Sequence, residues 1–141
     1  MTPAMKLEIV AGTEVALSTE VADLYIPAFY GQAGILSRHL PFVSLLTAGE
    51  LSYLDPRGRR HYLFIEGGVL KVENDAIRLL CDSFRKGEDF VAADLQKELV
   101  ATQQKIKTAF QGAITPDELD RELKREKILR IQLAIAKKAK K

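Results

Sequence analysis

The chain has 141 residues, 47% hydrophobic and 28% charged, with a formal net charge of +2. That length holds one domain or two small ones, and the balance is ordinary for a globular protein, which excludes fibrous and disordered classes. No apolar run reaches the ~20 residues a membrane helix needs, the N-terminal MTPAMKLEIV has no apolar stretch after its lysine, and the single cysteine, Cys81, excludes an internal disulfide.

Residues 5–82 read as short strands. Leu7, Ile9 and Ala11 alternate with polar neighbours, followed by Val15 and Leu17 and then by Val21, Leu24 and Ile26. Gly31-Gln32-Ala33-Gly34 reads as a tight glycine turn leading into a short apolar strand, with His39 and Pro41 beyond it. Asp55-Pro56-Arg57-Gly58 separates two apolar runs: proline presets φ and glycine accepts the left-handed region, so a hairpin is expected. Glu73-Asn74-Asp75 marks a second hairpin, because Asn and Asp tolerate positive φ. Gly67-Gly68 cannot strengthen a strand and predicts a bulge or a close backbone approach. Closely spaced short strands of this kind indicate a sandwich or barrel. Cys81 sits in a strand-like run, where a free cysteine acts as a small buried hydrophobe.

At Lys86-Gly87-Glu88-Asp89 the period changes. Leu95, Leu99, Thr102, Ile106 and Phe110 then recur at spacings of three and four, a helical stripe that Asp89 is placed to cap. Gly112 offers a left-handed stop. Thr115-Pro116-Asp117-Glu118 is a start signal, with an N-cap threonine, proline at the first helical position and a capping-box glutamate. The short break predicts an antiparallel helical hairpin. The fold expected is therefore α+β, an antiparallel β-sandwich over 1–86 followed by a two-helix hairpin over 87–141. Residues 115–141 carry nine Lys/Arg against five acids, so this tail is suited to an acidic partner. Apolar side chains cover more than one face of the second helix near its end. They suit packing on both the first helix and the sandwich, or a spare face for another partner.

Nothing in the chain reads as catalytic. His39 lacks Cys, Asp or Glu at ligand spacing, His61, mid-strand beside a turn, reads as a surface residue, and no nucleophile elbow, paired-histidine, CxxC or phosphate-loop motif occurs. No cofactor, metal or catalytic residue is therefore expected. Binding of nucleic acid by the basic tail would need aromatic residues among the cations, and acids interrupt the run instead.

The order and spacing of GQAGILSRHLP (31–41), Gly49-Glu50-Leu51 and Ile65-Glu66-Gly67-Gly68-Val69-Leu70-Lys71-Val72, ahead of a helical tail, resemble the epsilon subunit of bacterial F-type ATP synthases. Ala48 departs from the family's usual proline. The resemblance implies a non-catalytic central-stalk subunit at the cytoplasmic face of the inner membrane, held there through its complex. Its implied partners are the gamma shaft, the c ring and, through the last helix, the alpha/beta catalytic head, where the hairpin inhibits ATP hydrolysis. Carried over by position, Gly31, Gln32 and Gly34 match the loop on the c ring, and Gln32 stands where members often have an acid. His39 matches a histidine near gamma, and Arg121, Lys124 and Arg125 lie on the helix that meets acidic segments of the head. Some members bind ATP through I/L-D-x-x-R. Here Val91 replaces the Asp and Asp94 the Arg, which leaves no cation for a triphosphate, so no tight ATP binding is expected. The competing reading is a β-sandwich adaptor whose basic helix binds nucleic acid or an anionic membrane surface.

Overall fold

The computed structural model describes residues 4–36, 41–109, 111–112 and 115–139. Ten strands come first: β1 (Met5–Ala11), β2 (Glu14–Val21), β3 (Asp23–Ala28), β4 (Gly31–Leu36), β5 (Phe42–Leu46), β6 (Gly49–Leu54), β7 (Arg60–Glu66), β8 (Gly68–Glu73), β9 (Ala76–Cys81) and β10 (Ser83–Lys86). A 3-10 turn at Gly87–Asp89 leads to α1 (Ala92–Ala109) and α2 (Pro116–Ala139). The strands follow the order β10-β7-β6-β3-β5-β8-β9-β1-β2, with β4 also paired to β3. All pairs are antiparallel except β1 with β9. β3 carries the fold from one layer to the other: Asp23–Tyr25 pair with β6, while Ala28 pairs with Leu46 of β5.

The period-two pattern is what closes the sandwich. Leu7, Ile9, Leu24, Ile26, Leu51, Leu70, Ile77 and Leu79 are buried between the layers, while their strand neighbours point outward. Both predicted hairpins form. Asn74 and Asp75 take φ of 53° and 59° between β8 and β9, and Gly58 takes 86° between β6 and β7. The expected close approach at the glycine pair is present, since a Cβ on Gly68 would lie 2.2 Å from the Leu80 carbonyl oxygen. Cys81 is buried and free, and loss of hydration raises its thiol pKa.

β7 faces two ways. Leu63 and Ile65 enter the sandwich, whereas Phe64 on the other face packs with Phe90, Leu95, Leu99, Leu129, Leu133 and Ile135. α2 therefore packs on both α1 and the sandwich, as its broad apolar surface allows. The helical stripe holds at Leu95, Leu99 and Thr102, which are buried, and Phe110 lies outside the described residues. At the start of α2 the Thr115 hydroxyl accepts the Glu118 N–H at 3.2 Å, and Gly112 takes φ of 80° in the preceding break.

Two local expectations need correction. Asp89 does not cap α1: it ends the 3-10 turn, and the helix begins after Val91, whose carbonyl accepts from Leu95. Phe90 is responsible, because burying its ring edge-on to Phe64 (centroids 6.3 Å apart) pulls this segment out of helical geometry. His61 is half-buried, not a plain surface residue: it stacks on Tyr53 at 4.7 Å and meets Asp55 at 2.9 Å.

Candidate functional site

Gly31–Gly34 is not the turn. The reversal falls one step earlier, at Phe29-Tyr30, and Gly31–Leu36 is strand β4, in register with β3 from Ala28↔Gly31 to Asp23↔Leu36. Gly34 is required for a packing reason: it faces Tyr25, and a Cβ there would lie 2.9 Å from that ring's Cε1. Gly31 uses φ of 127° to leave the turn. Gln32, exposed beside this turn, pairs across to Pro27. At the tip, Phe29 and Tyr30 are 78% and 73% exposed. The base is firm, because Phe29 N–H donates to Leu45 O (3.0 Å) and Thr47 N–H to Pro27 O (2.9 Å).

A second apolar surface runs across the outer face of the neighbouring layer. Leu45 pairs with Val69, Val69 with Leu80, Leu80 with Val10 and Val10 with Val15, so five strands align one apolar row. Leu45, Leu80 and Val15 are 63%, 50% and 58% exposed. An apolar row shared by five strands is the kind of surface that marks a protein interface. Alternation alone missed it, because it marks which residues share a face and not which face is covered. The available signal for the tip was two aromatics directly before a glycine.

The cations of α2 fall on different faces. Arg125 reaches Glu98 of α1 (2.5 Å), Arg121 lies beside Lys105, Glu118 and Glu122, and Lys124 borders a groove against the β3–β4 hairpin. The i,i+4 pair Glu126–Arg130 forms at 3.7 Å. Val91 and Asp94 are both exposed at the start of α1. His39 lies outside the described residues, so the structure gives it no place.

The polar groups of the β6–β7 turn hold its shape. Asp55 Oδ1 accepts the N–H groups of Arg57 and Arg59 at 2.9 Å each. The bond from His61, followed by that from Arg59, holds its carboxyl below the usual range. Burial, then the nearby Asp55 charge, raises the Tyr53 phenol. Among the described residues no group of three or more His, Cys, Asp or Glu converges as a metal site would.

A sandwich with an exposed aromatic tip and a bare apolar row, fastened to a helical hairpin, defines a docking subunit. The β-sandwich domain of the ATP synthase delta/epsilon chain matches residues 4–87. The ATP synthase epsilon chain of Nitratidesulfovibrio vulgaris (strain DP4) is 31% identical over 106 residues, covering 75% of this chain and 78% of that one. The epsilon chain of Nitrosococcus oceani is 29% identical over 111 residues, covering 79% and 76%. A chain of the Euglena gracilis mitochondrial ATP synthase (OSCP/F1/c-ring) superimposes with a TM-score of 0.81 at 20% identity, over 95% of this chain and 82% of that one. A chain of the Tetrahymena thermophila mitochondrial ATP synthase (central stalk/c-ring) gives 0.59 at 12% identity, over 96% and 98%. At these identities the two structures establish the fold. The chain belongs to the ATP synthase delta/epsilon family, as an epsilon-type subunit that is not itself catalytic.

Proposed function

We propose that this chain works in the central stalk of a rotary ATP synthase, as a peripheral subunit on the cytoplasmic face of the inner membrane. No helix among the described residues is long and apolar enough to cross a membrane. In this reading the Leu45–Val69–Leu80–Val10–Val15 row docks on the gamma shaft, and the β3–β4 tip, with Gly31, Gln32 and Gly34 behind it, stands on the c ring. The bare row carries the proposal, because a continuous apolar stripe across five strands suits a long partner element. The sandwich over 1–86 serves assembly, and the hairpin over 87–141 serves regulation. Arg121, Lys124 and Arg125 act when α2 leaves the sandwich and meets acidic segments of the alpha/beta head. The reading as a nucleic-acid adaptor has less support, since no aromatic side chain stands among the cations of α2.

The test is reconstitution with an epsilon-free ATPase core. Val69→Asp and Leu80→Asp, both on the outer face, should abolish capture by gamma while circular dichroism stays native. Undiminished capture would remove the row from the interface. Deleting 115–141 should leave capture intact and raise ATP hydrolysis. Unchanged hydrolysis would leave the hairpin with a packing role alone.

A further inference from the structure

A groove of about 460 Å3 runs between the β3–β4 hairpin and α2. Phe29, Ala48, Ile128 and Ile131 give it an apolar lining, and Lys124 and Lys127 stand at its edge. Among the described residues no carboxylate lines it. Four other cations of the hairpin face acids: Lys105 meets Glu122, Arg125 meets Glu98, Arg130 meets Glu126 and Lys138 meets Glu50, whereas Lys97, Lys107, Arg121 and Lys137 form no ion pair among the described residues and border no apolar trough. Lys124 and Lys127 have no ion-pair partner among the described residues. Two uncompensated ammonium groups over an apolar trough call for a ligand with one anionic end and one apolar body. The groove's volume lies within the ~300–1,000 Å3 of small-molecule sites. Nine residues line it, whereas a standard protein interface uses about 20–30 on each side.

We propose that this groove binds a free single-chain carboxylate amphiphile, a fatty-acid anion. Its carboxylate lies between Lys124 and Lys127, and its chain runs along Ile128, Ile131, Ala48 and Phe29. The site exists only while α2 rests on the sandwich, because its walls come from both. Bound ligand therefore favours the docked hairpin by mass action. This goes beyond the stalk assignment and does not depend on it.

The full-length chain is titrated with laurate below its micelle threshold and followed by backbone amide NMR. Saturable shifts are expected around Phe29, Ala48 and residues 124–131. Dodecanol, which has the chain without the charge, and butyrate, which has the charge without the chain, should each bind at least about tenfold more weakly, the scale of one lost charge-assisted or apolar contact. The double change Lys124→Glu with Lys127→Glu should weaken laurate by about tenfold or more, and Phe29→Ser should weaken it several-fold. All these side chains are exposed, and melting curves check that the variants fold. If a variant does not fold, the wild-type comparison of laurate, dodecanol and butyrate still decides. Equal binding of dodecanol, shifts without saturation, or full laurate affinity in the double variant would overturn the proposal. So would identical shifts with vesicles of anionic phospholipid free of fatty acid, which would make a bilayer surface the occupant.

Discussion

The core inside the sandwich is enclosed by strands on both sides. Leu7, Ile9, Leu24, Ile26, Ile35 and Leu51 have no exposed surface at all. The core under the helices is a single sheet of contact between the outer face of β7 and two helices. Its Phe64, Ile135 and Ala136 are as buried as the sandwich core, while Leu95, Leu99 and Leu133 keep 6–8% of their surface open, and ion pairs such as Arg125–Glu98 and Lys138–Glu50 form its rim. Enclosure makes the first core cooperative with the whole fold. The second, a layer packed on one face of the sheet, is expected to be the less stable unit, opening while the sandwich stays closed.

Paired truncations break this comparison most directly. Leu79→Ala and Leu133→Ala each remove the same buried atoms, at a cost of about 2–5 kcal/mol. Leu79→Ala should lower the denaturation midpoint of sheet and helix signals together. Leu133→Ala should lower the helix docking signal alone, with tyrosine fluorescence reporting a sandwich of unchanged stability. Coincident transitions in Leu133→Ala would mean one cooperative unit.

Two glycines sharpen the comparison, one in each core. At Gly68, with φ of 146°, a Cβ would lie 2.2 Å from the Leu80 carbonyl oxygen, between two paired strands. At Gly87 it would lie 2.7 Å from the Tyr62 carbonyl oxygen, 2.8 Å from Ile135 Cγ2 and 3.0 Å from Ala139 Cβ. Overpacking costs about 1–3 kcal/mol, and the strained backbone puts Gly68→Ala at or above the top of that range. Relief at Gly87 is available by lifting the last turns of α2. Gly87→Ala should therefore raise amide exchange in 130–139 and leave β1–β9 protected. Uniform protection would show that the turn yields instead of the helix.

These contrasts also explain what the sequence revealed. Period-two alternation found the strands and Thr115-Pro116-Asp117-Glu118 found α2, because both signals depend on neighbours in the chain. The position of the β3–β4 turn was misread, since glycines at 31 and 34 signal turns by composition. Gly34 is glycine because Tyr25 lies across from it, a fact of register that no local pattern carries. The placing of Asp89 failed for a similar reason, as Phe90 obeys a tertiary contact with Phe64. The cations at 121, 124 and 125 looked like one patch along the chain, yet helical geometry sends Arg125 to α1 and Lys124 towards the hairpin tip.

Smaller still is the effect of the rim. Lys138 Nζ lies 2.8 Å from Glu50 Oε1 and 5.9 Å from the Tyr62 ring centre, with about half of its side chain exposed. Water screens such a contact, so Lys138→Ala should cost about 0.2–1 kcal/mol, all of it in helix docking and less in high salt. A loss equal to that of Leu133→Ala would make the rim, not the apolar layer, the main fastening.

The smallest effect tests the element that the two cores share, the β6–β7 turn. β6 and β7 supply Leu51 and Leu63 to the inner core, and β7 supplies Phe64 to the outer one. Asp55 organises the turn by accepting from Arg57, Arg59 and His61. A carboxylate only accepts, so the His61 Nε2 carries the proton of that bond. The folded carboxyl pKa lies below its ordinary value, chiefly through His61, and the unfolded chain therefore takes up the proton first as pH falls. The stabilisation is complete above the unfolded value of about 3.9 and fades as pH drops through the folded one. The melting-temperature difference between wild type and Asp55→Ala should shrink as pH falls below about 4. Because the turn serves both cores, sheet and helix signals should shift together in this variant. A shift confined to the helix signal would show that β6–β7 is held by the inner core without its turn. A difference that grew as pH fell below about 4 would reverse the sign and remove Asp55 as a stabilising acceptor.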